Sequence, residues 1–184
     1  MKTTIALLLL LPSTLAFAQE RMIQKTVVVA APVAEVFRAW TTKEGLESFL
    51  APEAVVDPRP DGAFEIHMNP YAEPGLKGAD GMRVLGVQEG RMISFTWNAP
   101  PSLPEARKQR TAVIVRTDPV DDTHTRVSVT HVAWGAGGEW DMAYDYFDKT
   151  WGRVLGLLKT RYDEGKPVDW RPFLERLKAA PPSK

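Results

Sequence analysis

One stretch near the C-terminus decides the fold of this chain: residues 140–162 read WDMAYDYFDKTWGRVLGLLKTRY. Its large apolar residues recur at the i, i+3, i+4 and i+7 spacings of an α-helix, and they occupy a single arc about 100° wide. The members of this stripe are Trp140, Tyr144, Phe147, Trp151, Val154, Leu155, Leu158 and Tyr162. The spacing predicts a long helix, ended by Gly165, that lies across a large apolar surface.

The residues before the helix predict the surface on which it lies. Phe64, Ile66 and Met68 alternate with polar neighbours, which is the period of a half-buried β-strand. Further strands are predicted at 22–30, 82–87, 92–97, 111–117 and 126–133, and two short helices follow the first strand. Strands and helices that are segregated along the chain indicate an α+β fold. We therefore expect a curved antiparallel sheet of about six to seven strands wrapped around the long C-terminal helix.

The composition limits the classes of protein that remain. The chain has 184 residues, 23 basic and 23 acidic side chains, and no cysteine. This length suits one globular domain, and six tryptophans with an ordinary charge content argue against disorder. The balanced charge gives no support to nucleic-acid binding. A chain without cysteine has no thiol catalysis, zinc–thiolate site or iron–sulfur cluster of its own.

The first residues have the pattern of a secretory signal peptide. Lys2 gives a positive start, an apolar run follows from Ile5 to Leu11, and Ala16-Phe17-Ala18 forms a small-residue cleavage site. A membrane anchor is the alternative, but the apolar run is too short to span a bilayer and Pro12 interrupts it. We predict that residues 1–18 are removed and that the protein is exported, periplasmic or secreted, without a stable membrane anchor.

Five stretches of the remaining chain match a known family in order and spacing. They are residues 31–41 (APVAEVFRAWT), 56–64 (VDPRPDGAF), 81–97 (GMRVLGVQEGRMISFTW), 125–131 (TRVSVTH) and the long helix at 140–158. Together they resemble the helix-grip fold of the START-like superfamily, also called SRPBCC. Within it, the closest resemblance is to the branch similar to the activator of heat-shock-protein-90 ATPase.

The resemblance divides the mature chain into a domain at residues 19–164 and a tail at 165–184. In the tail, Trp170, Phe173, Leu174 and Leu177 have the spacing of one short helix. Phe49-Leu50 stands where the family often has two tryptophans, so this end of the fold is expected to differ.

The family implies a function without implying catalytic residues. Its common property is a cavity between sheet and long helix that accepts apolar or amphipathic small molecules, and our first hypothesis is binding of such a molecule without cofactor or metal. The second is a small-molecule enzyme of cyclase, hydrolase or lyase type, with His131 as base and Tyr144 or Trp140 positioning substrate. The third is a chaperone-ATPase activator, which conflicts with the signal peptide because that partner is intracellular. The oligomeric state is left open.

Strand alternation and the helical stripe predict which residues line the cavity. The predicted lining is Phe64, Ile66, Phe95, Trp97, Val129, His131, Trp140, Tyr144 and Phe147. The loops 69–80 and 99–109 are expected to form its rim. Among these residues His131 is the weak catalytic candidate, since it shares a strand face with Val129, although a hydrogen-bonded structural histidine is the favoured interpretation.

The other polar residues have simpler interpretations. His67 is expected on the opposite strand face from Ile66, and His124 in a solvated turn. The acidic residues Asp141, Asp145 and Asp148 are expected to be a solvated helix face, because no His–Glu spacing of a metal site accompanies them.

Overall fold

The computed structural model describes residues 20–179. The predicted signal peptide and its cleavage site lie outside the described residues. In chain order the elements are β1 (Ile23–Val29), α1 (Val33–Thr41), α2 (Lys43–Glu47), β2 (Glu53–Val56), β3 (Phe64–His67), β4 (Gly78–Ala79), β5 (Val84–Gln88), β6 (Met92–Trp97), α3 (Pro104–Arg107), β7 (Thr111–Pro119), β8 (Thr125–Val132), α4 (Glu139–Glu164) and α5 (Arg171–Ala179).

The strands form two antiparallel sheets that meet along one junction. The larger sheet has the order β1-β8-β7-β6-β5 and the smaller one β2-β3-β4. At the junction the amide of Phe64 donates to the carbonyl of Met82 at 2.9 Å, and the amide of Val84 donates to that of Gly62 at 2.9 Å. Next to this junction, the pairing register between β5 and β6 shifts between Val84 and Gly86, so a bulge interrupts that ladder.

Helix α4 packs its apolar stripe on the larger sheet. Trp151, which is 1% exposed, lies with its ring centroid 5.6 Å from that of Trp97 on β6. The helix ends at Gly165, whose φ of +66° places it in the left-handed conformation that closes many helices. The predicted α+β helix-grip class is confirmed, with the strands divided between two sheets. No helix of residues 20–179 has the length and apolar character needed to cross a membrane.

Candidate functional site

A cavity of about 800 Å³ opens at one end of the sheets. Its wall is contributed by the end of β3, the loop after it and β4, by the end of β6 and the loop after it, by the first third of α4, and by one residue of α5. The lining residues are Ile66, Met68, Asn69, Tyr71, Ala72, Glu73, Leu76, Lys77, Gly78, Ala79, Trp97, Asn98, Pro100, Pro101, Tyr146, Phe147 and Leu177. Both loops that the sequence proposes as the rim contribute to this wall.

Three of the nine residues proposed as lining lie in the cavity wall: Ile66, Trp97 and Phe147. The other six lie elsewhere. Phe64 and Phe95 are fully buried and stacked, with centroids 3.7 Å apart and planes 9° apart. Together with the buried Val129 they belong to the core between sheet and helix. These inward side chains pack directly against one another and do not line a cavity.

His131 is also fully buried and both ring nitrogens are hydrogen-bonded. The indole Nε1 of Trp151 donates to Nδ1 at 3.0 Å, so Nδ1 is the acceptor and the imidazole is the neutral Nε2–H tautomer. Nε2 then donates to Oγ1 of Thr111 at 2.7 Å. Burial lowers the pKa of His131 to about 3. An imidazole that is neutral, enclosed and satisfied has no free nitrogen with which to act as a general base.

Trp140 and Tyr144 lie on another flank of α4, outside the cavity wall. Trp140 packs against a small cluster formed by Ala99, Leu103, Ala106 and Ala143. The hydroxyl of Tyr144 donates to the carbonyl of Met22 at 3.0 Å, which ties the helix to the segment before β1. The helical stripe therefore contacts three different surfaces: the core through Trp151, the cavity through Phe147, and a separate flank through Trp140 and Tyr144. Helical periodicity alone does not distinguish these surfaces.

The two rim loops are joined by a nearly buried ion pair. Arg107, in α3, contacts the carboxylate of Asp80 at 3.1 Å and donates to the carbonyls of Gly75 and Gly78 at 2.7 Å each. Asp80 in turn accepts from the backbone amide of Gly78 at 2.9 Å. Burial lowers the pKa of Arg107, and Asp80 opposes that shift. The sequence pattern does not indicate this pair, because an Arg and an Asp that lie 27 positions apart carry no local signal of their contact.

Large apolar side chains remain exposed around the cavity mouth. Tyr71 is 53% exposed, Leu76 49%, Tyr146 47% and Met68 36%, and all four line the cavity. Clustered exposed apolar side chains beside a cavity are typical of binding surfaces, whereas scattered ones are ordinary.

The tail reaches this mouth. The indole Nε1 of Trp170 donates to the carbonyl of Glu47, and the amide of Val168 donates to that of Ser48 at 2.8 Å. From this anchor α5 runs to the cavity, where Leu177 enters the wall and the ammonium of Lys178 lies 5.0 Å from the ring centroid of Tyr71. The amphipathic spacing of Phe173, Leu174 and Leu177 predicts the helix but not the surface that it covers.

The remaining polar candidates have local partners. His67 lies 3.0 Å from a carboxylate oxygen of Glu53, and His124 lies 3.0 Å from one of Asp121. The pKa of Asp121 falls to about 2, chiefly because the backbone amide of Thr123 donates to it. Asp148 pairs with Lys25 at 2.7 Å. Within residues 20–179 no group of three or more acidic or histidine side chains has the arrangement of a metal site.

Comparison with known proteins agrees with this architecture. An antiparallel sheet packed on a long C-terminal helix, with a cavity at one end, defines a helix-grip domain of the SRPBCC type. The model of one family matches residues 30–163, and the chain belongs to that family, the Activator of Hsp90 ATPase homolog 1-like proteins. No curated protein matches the sequence.

Solved structures with the same fold come from several bacteria. Protein MLL2253 from Mesorhizobium loti is 21% identical with a TM-score of 0.62, covering 78% of this chain and 98% of its own. CalU16 from Micromonospora echinospora is 21% identical with a TM-score of 0.57, covering 87% and 83%. The Aha1 dimer from Colwellia psychrerythraea is 16% identical with a TM-score of 0.58, covering 77% and 96%. At these identities the likeness concerns the fold alone.

Proposed function

We propose that this protein is an exported domain that binds an apolar or amphipathic small molecule in the cavity beside α4. The observation that carries the proposal is the cavity itself. Its volume of about 800 Å³ lies within the range of ligand pockets. Its wall is largely apolar and aromatic, with a few polar groups, which is the usual composition of such a pocket.

The shape of the mouth supports an apolar ligand. Tyr71, Leu76 and Tyr146 expose their apolar surface there, and a bound molecule would remove part of that surface from water. The rim is also held in place by Arg107 and Asp80, so little ordering of these loops is required on binding.

The enzymatic alternative with His131 as base has no support from the geometry. The ring is enclosed between Thr111 and Trp151 and is not part of the cavity wall. The chaperone-activator alternative and export remain incompatible, and the fate of the N-terminus decides between them.

Two measurements test the binding proposal. The first is native mass spectrometry of the protein purified from its own host, which we expect to show a co-purified small molecule. The second is titration with the uncharged fluorescent probe Nile red. Ala72→Trp places a large side chain in the cavity wall, so we expect it to weaken saturable binding at least about tenfold, a loss of roughly 1.4 kcal/mol.

The control is Val28→Trp, which adds the same side chain on an exposed position of β1. We expect it to leave Nile red affinity unchanged. Equal binding by the wild type and both variants, with no co-purified molecule, would contradict the proposal because the probe would then be adsorbing elsewhere.

A further inference from the structure

One polar side chain in the cavity wall differs from every other buried polar side chain in the described part of the molecule. Eight polar residues are buried between residues 20 and 179: Thr41, Ser48, His67, Asn98, Thr111, Thr117, Thr125 and His131. Seven of them make side-chain hydrogen bonds to protein groups. Asn98, which is 4% exposed, makes none within residues 20–179 and lies in the cavity wall.

A buried amide without a partner destabilises a fold, and nearly all such groups in native proteins are hydrogen-bonded. Among residues 20–179, the side-chain nitrogen and oxygen atoms with neither solvent contact nor a partner are Trp40 Nε1 and one nitrogen of Arg161, and neither residue lines the cavity. The amide of Asn98 has no protein partner among these residues either, but it keeps a small exposed area at the cavity wall. Asn98 is therefore the place where a bound molecule could supply the missing hydrogen bonds.

The position of Asn98 fixes which part of a ligand it would meet. It directly follows Trp97, the last residue of β6, and shares the wall with Ile66 and Ala79, both nearly fully buried. The exposed residues of the mouth, Tyr71 and Leu76, belong to the loop after β3. A ligand would therefore present its polar group to the enclosed part of the cavity and its apolar body to the mouth.

The charge around Asn98 favours an uncharged polar group. A primary amide offers two donors and one acceptor and carries no charge. The guanidinium of Arg107, which could neutralise an anion, is already engaged by Asp80 and by backbone carbonyls. Lys77 and Glu73 line the cavity from the loop and have opposite signs, so the loop adds no net charge to the wall. A charged group carried past them would lose its hydration without gaining a dedicated counter-ion.

We propose that Asn98 is the polar anchor of the cavity, and that the ligand is an apolar molecule bearing an uncharged hydrogen-bonding group such as a hydroxyl or a carbonyl. This inference rests on the proposed binding function and specifies its ligand class.

The test compares three probes of nearly equal size: naphthalene, 2-naphthol and 2-naphthoate. Each is measured by displacement of Nile red from the wild type and from Asn98→Leu, which has a similar volume without the amide. We expect the wild type to bind 2-naphthol about tenfold more tightly than naphthalene and more tightly than 2-naphthoate. In Asn98→Leu this preference should disappear, while naphthalene binds at least as well as before.

A second measurement does not depend on the variant. The side-chain NH₂ resonances of Asn98 in the wild type should shift on addition of 2-naphthol and not on addition of naphthalene. Gln88→Leu, which removes an exposed amide on β5, is the matched control and should keep the wild-type preference.

The outcomes separate this inference from the proposed function. If the probes bind in the cavity with no preference for 2-naphthol, if 2-naphthoate binds best, or if the preference survives in Asn98→Leu, the anchor is wrong and the binding function stands. If Nile red binding is not saturable and no probe displaces it, the proposed function itself fails.

Discussion

At the scale of single residues, the imidazole of His131 joins three elements of the core. It lies on β8, donates to Thr111 on β7 and accepts from Trp151 on α4. Each of these polar groups is buried, and each depends on the others for its hydrogen bond. The histidine therefore stabilises the contact between the helix and the sheet rather than presenting a reactive group to the cavity.

Replacement of His131 by Asn should lower stability without selectively changing ligand binding. The shorter amide cannot reach both partners, so the indole N–H of Trp151 or the hydroxyl of Thr111 loses its partner. A buried unsatisfied group of this kind costs about 1–3 kcal/mol. Urea denaturation measures the loss, and His124→Asn at an exposed turn is the control, expected within about 0.5 kcal/mol of wild type. A selective loss of turnover on any substrate, with stability unchanged, would contradict this assignment.

The same histidine predicts how stability depends on pH. Its pKa is lowered to about 3 in the folded protein, against about 6.5 in the unfolded chain. Between these values the unfolded chain binds more protons, so the free energy of unfolding falls as the pH falls from about 6.5 towards 3. Over this interval, His131 changes the free energy of unfolding by at most about 1.4 kcal/mol per pH unit.

Urea denaturation of the wild type and His131→Asn at pH 7, 6, 5 and 4 isolates this effect. The wild type should lose stability more steeply than the variant over that interval, because Asn does not titrate. Parallel slopes for the two proteins would mean that His131 is accessible to protons in the folded state.

The sequence could place His131 on the inward strand face but could not show what it meets there. Alternation with Val129 gives the face. Whether an inward group lies against a cavity or under a helix depends on where α4 crosses the sheet, and that is a tertiary property. Asn98 gave no signal at all, because a single Asn at the end of a strand is common in loops.

At the scale of elements, the ion pair between Arg107 and Asp80 holds the loop after β3 against α3. Arg107→Met removes the counter-ion of the Asp80 carboxylate, whose side chain is 14% exposed, and leaves it only the backbone amides of Gly75, Lys77 and Gly78 as donors. Deleting one partner of a fully buried pair costs about 3–5 kcal/mol, and the remaining donors place this loss at or below the lower end of that range. We expect faster amide hydrogen exchange in residues 69–80 and weaker Nile red binding.

Lys108→Met tests whether loss of any positive charge has this effect. Lys108 pairs with Glu105 at 2.7 Å, but both side chains are more than two-thirds exposed. Exposed pairs contribute little, so this variant should exchange like the wild type. If both variants behave alike, the Arg107 pair does not order the rim.

The tail helix α5 should be the least stable of the long elements. None of its residues is buried, and its hydrogen bonds to the rest of the domain come from Trp170 and Val168, just before the helix. Trp170→Ala should therefore raise hydrogen exchange across residues 171–179 while the rest of the domain keeps its protection. Arg171→Ala, which removes only an exposed pair with Asp169, is the control. Loss of protection throughout the sheet would show that the tail is part of the cooperative core.

The elements were the part of the structure most accessible from the sequence. The apolar stripe from Trp140 to Tyr162 predicted the long helix, and Gly165 predicted where it ends. The two rim loops were recognisable from their prolines and glycines. The attachment between the two loops could not be recognised from the sequence. It is made by the side chain of Arg107 and backbone carbonyls of the other loop, and such contacts produce no periodic sequence pattern.

At the scale of the whole molecule, the cavity lies at the end of the sheets rather than along the length of α4. Farther along the helix the inward rings pack on one another, as the stacked Phe64 and Phe95 and the contact of Trp97 with Trp151 show. The space opens where the loop after β3 leaves the sheet and the tail helix closes the far side. Periodicity identifies inward residues, but the volume they leave unfilled depends on packing.

Export remains a prediction, and the fold is compatible with removal of residues 1–18. The segment just after that point already belongs to the folded domain. The carbonyl of Met22 accepts from Tyr144, and the guanidinium of Arg21 lies 4.3 Å from the ring centroid of Tyr144 and pairs with Asp141. Cleavage would leave these contacts in place.

We therefore expect two results from the full-length chain expressed in its own host. Mass spectrometry should find a mature protein that begins at Gln19 in the exported fraction, and its melting temperature should equal that of a recombinant chain started at Gln19. Ala18→Pro, which alters only the predicted cleavage site, should leave the longer precursor uncleaved because processing requires a small residue at this position. Recovery of Met1 on a cytoplasmic product would exclude export. It would also restore the intracellular chaperone-activator hypothesis, since the conflict with that hypothesis comes from the leader alone.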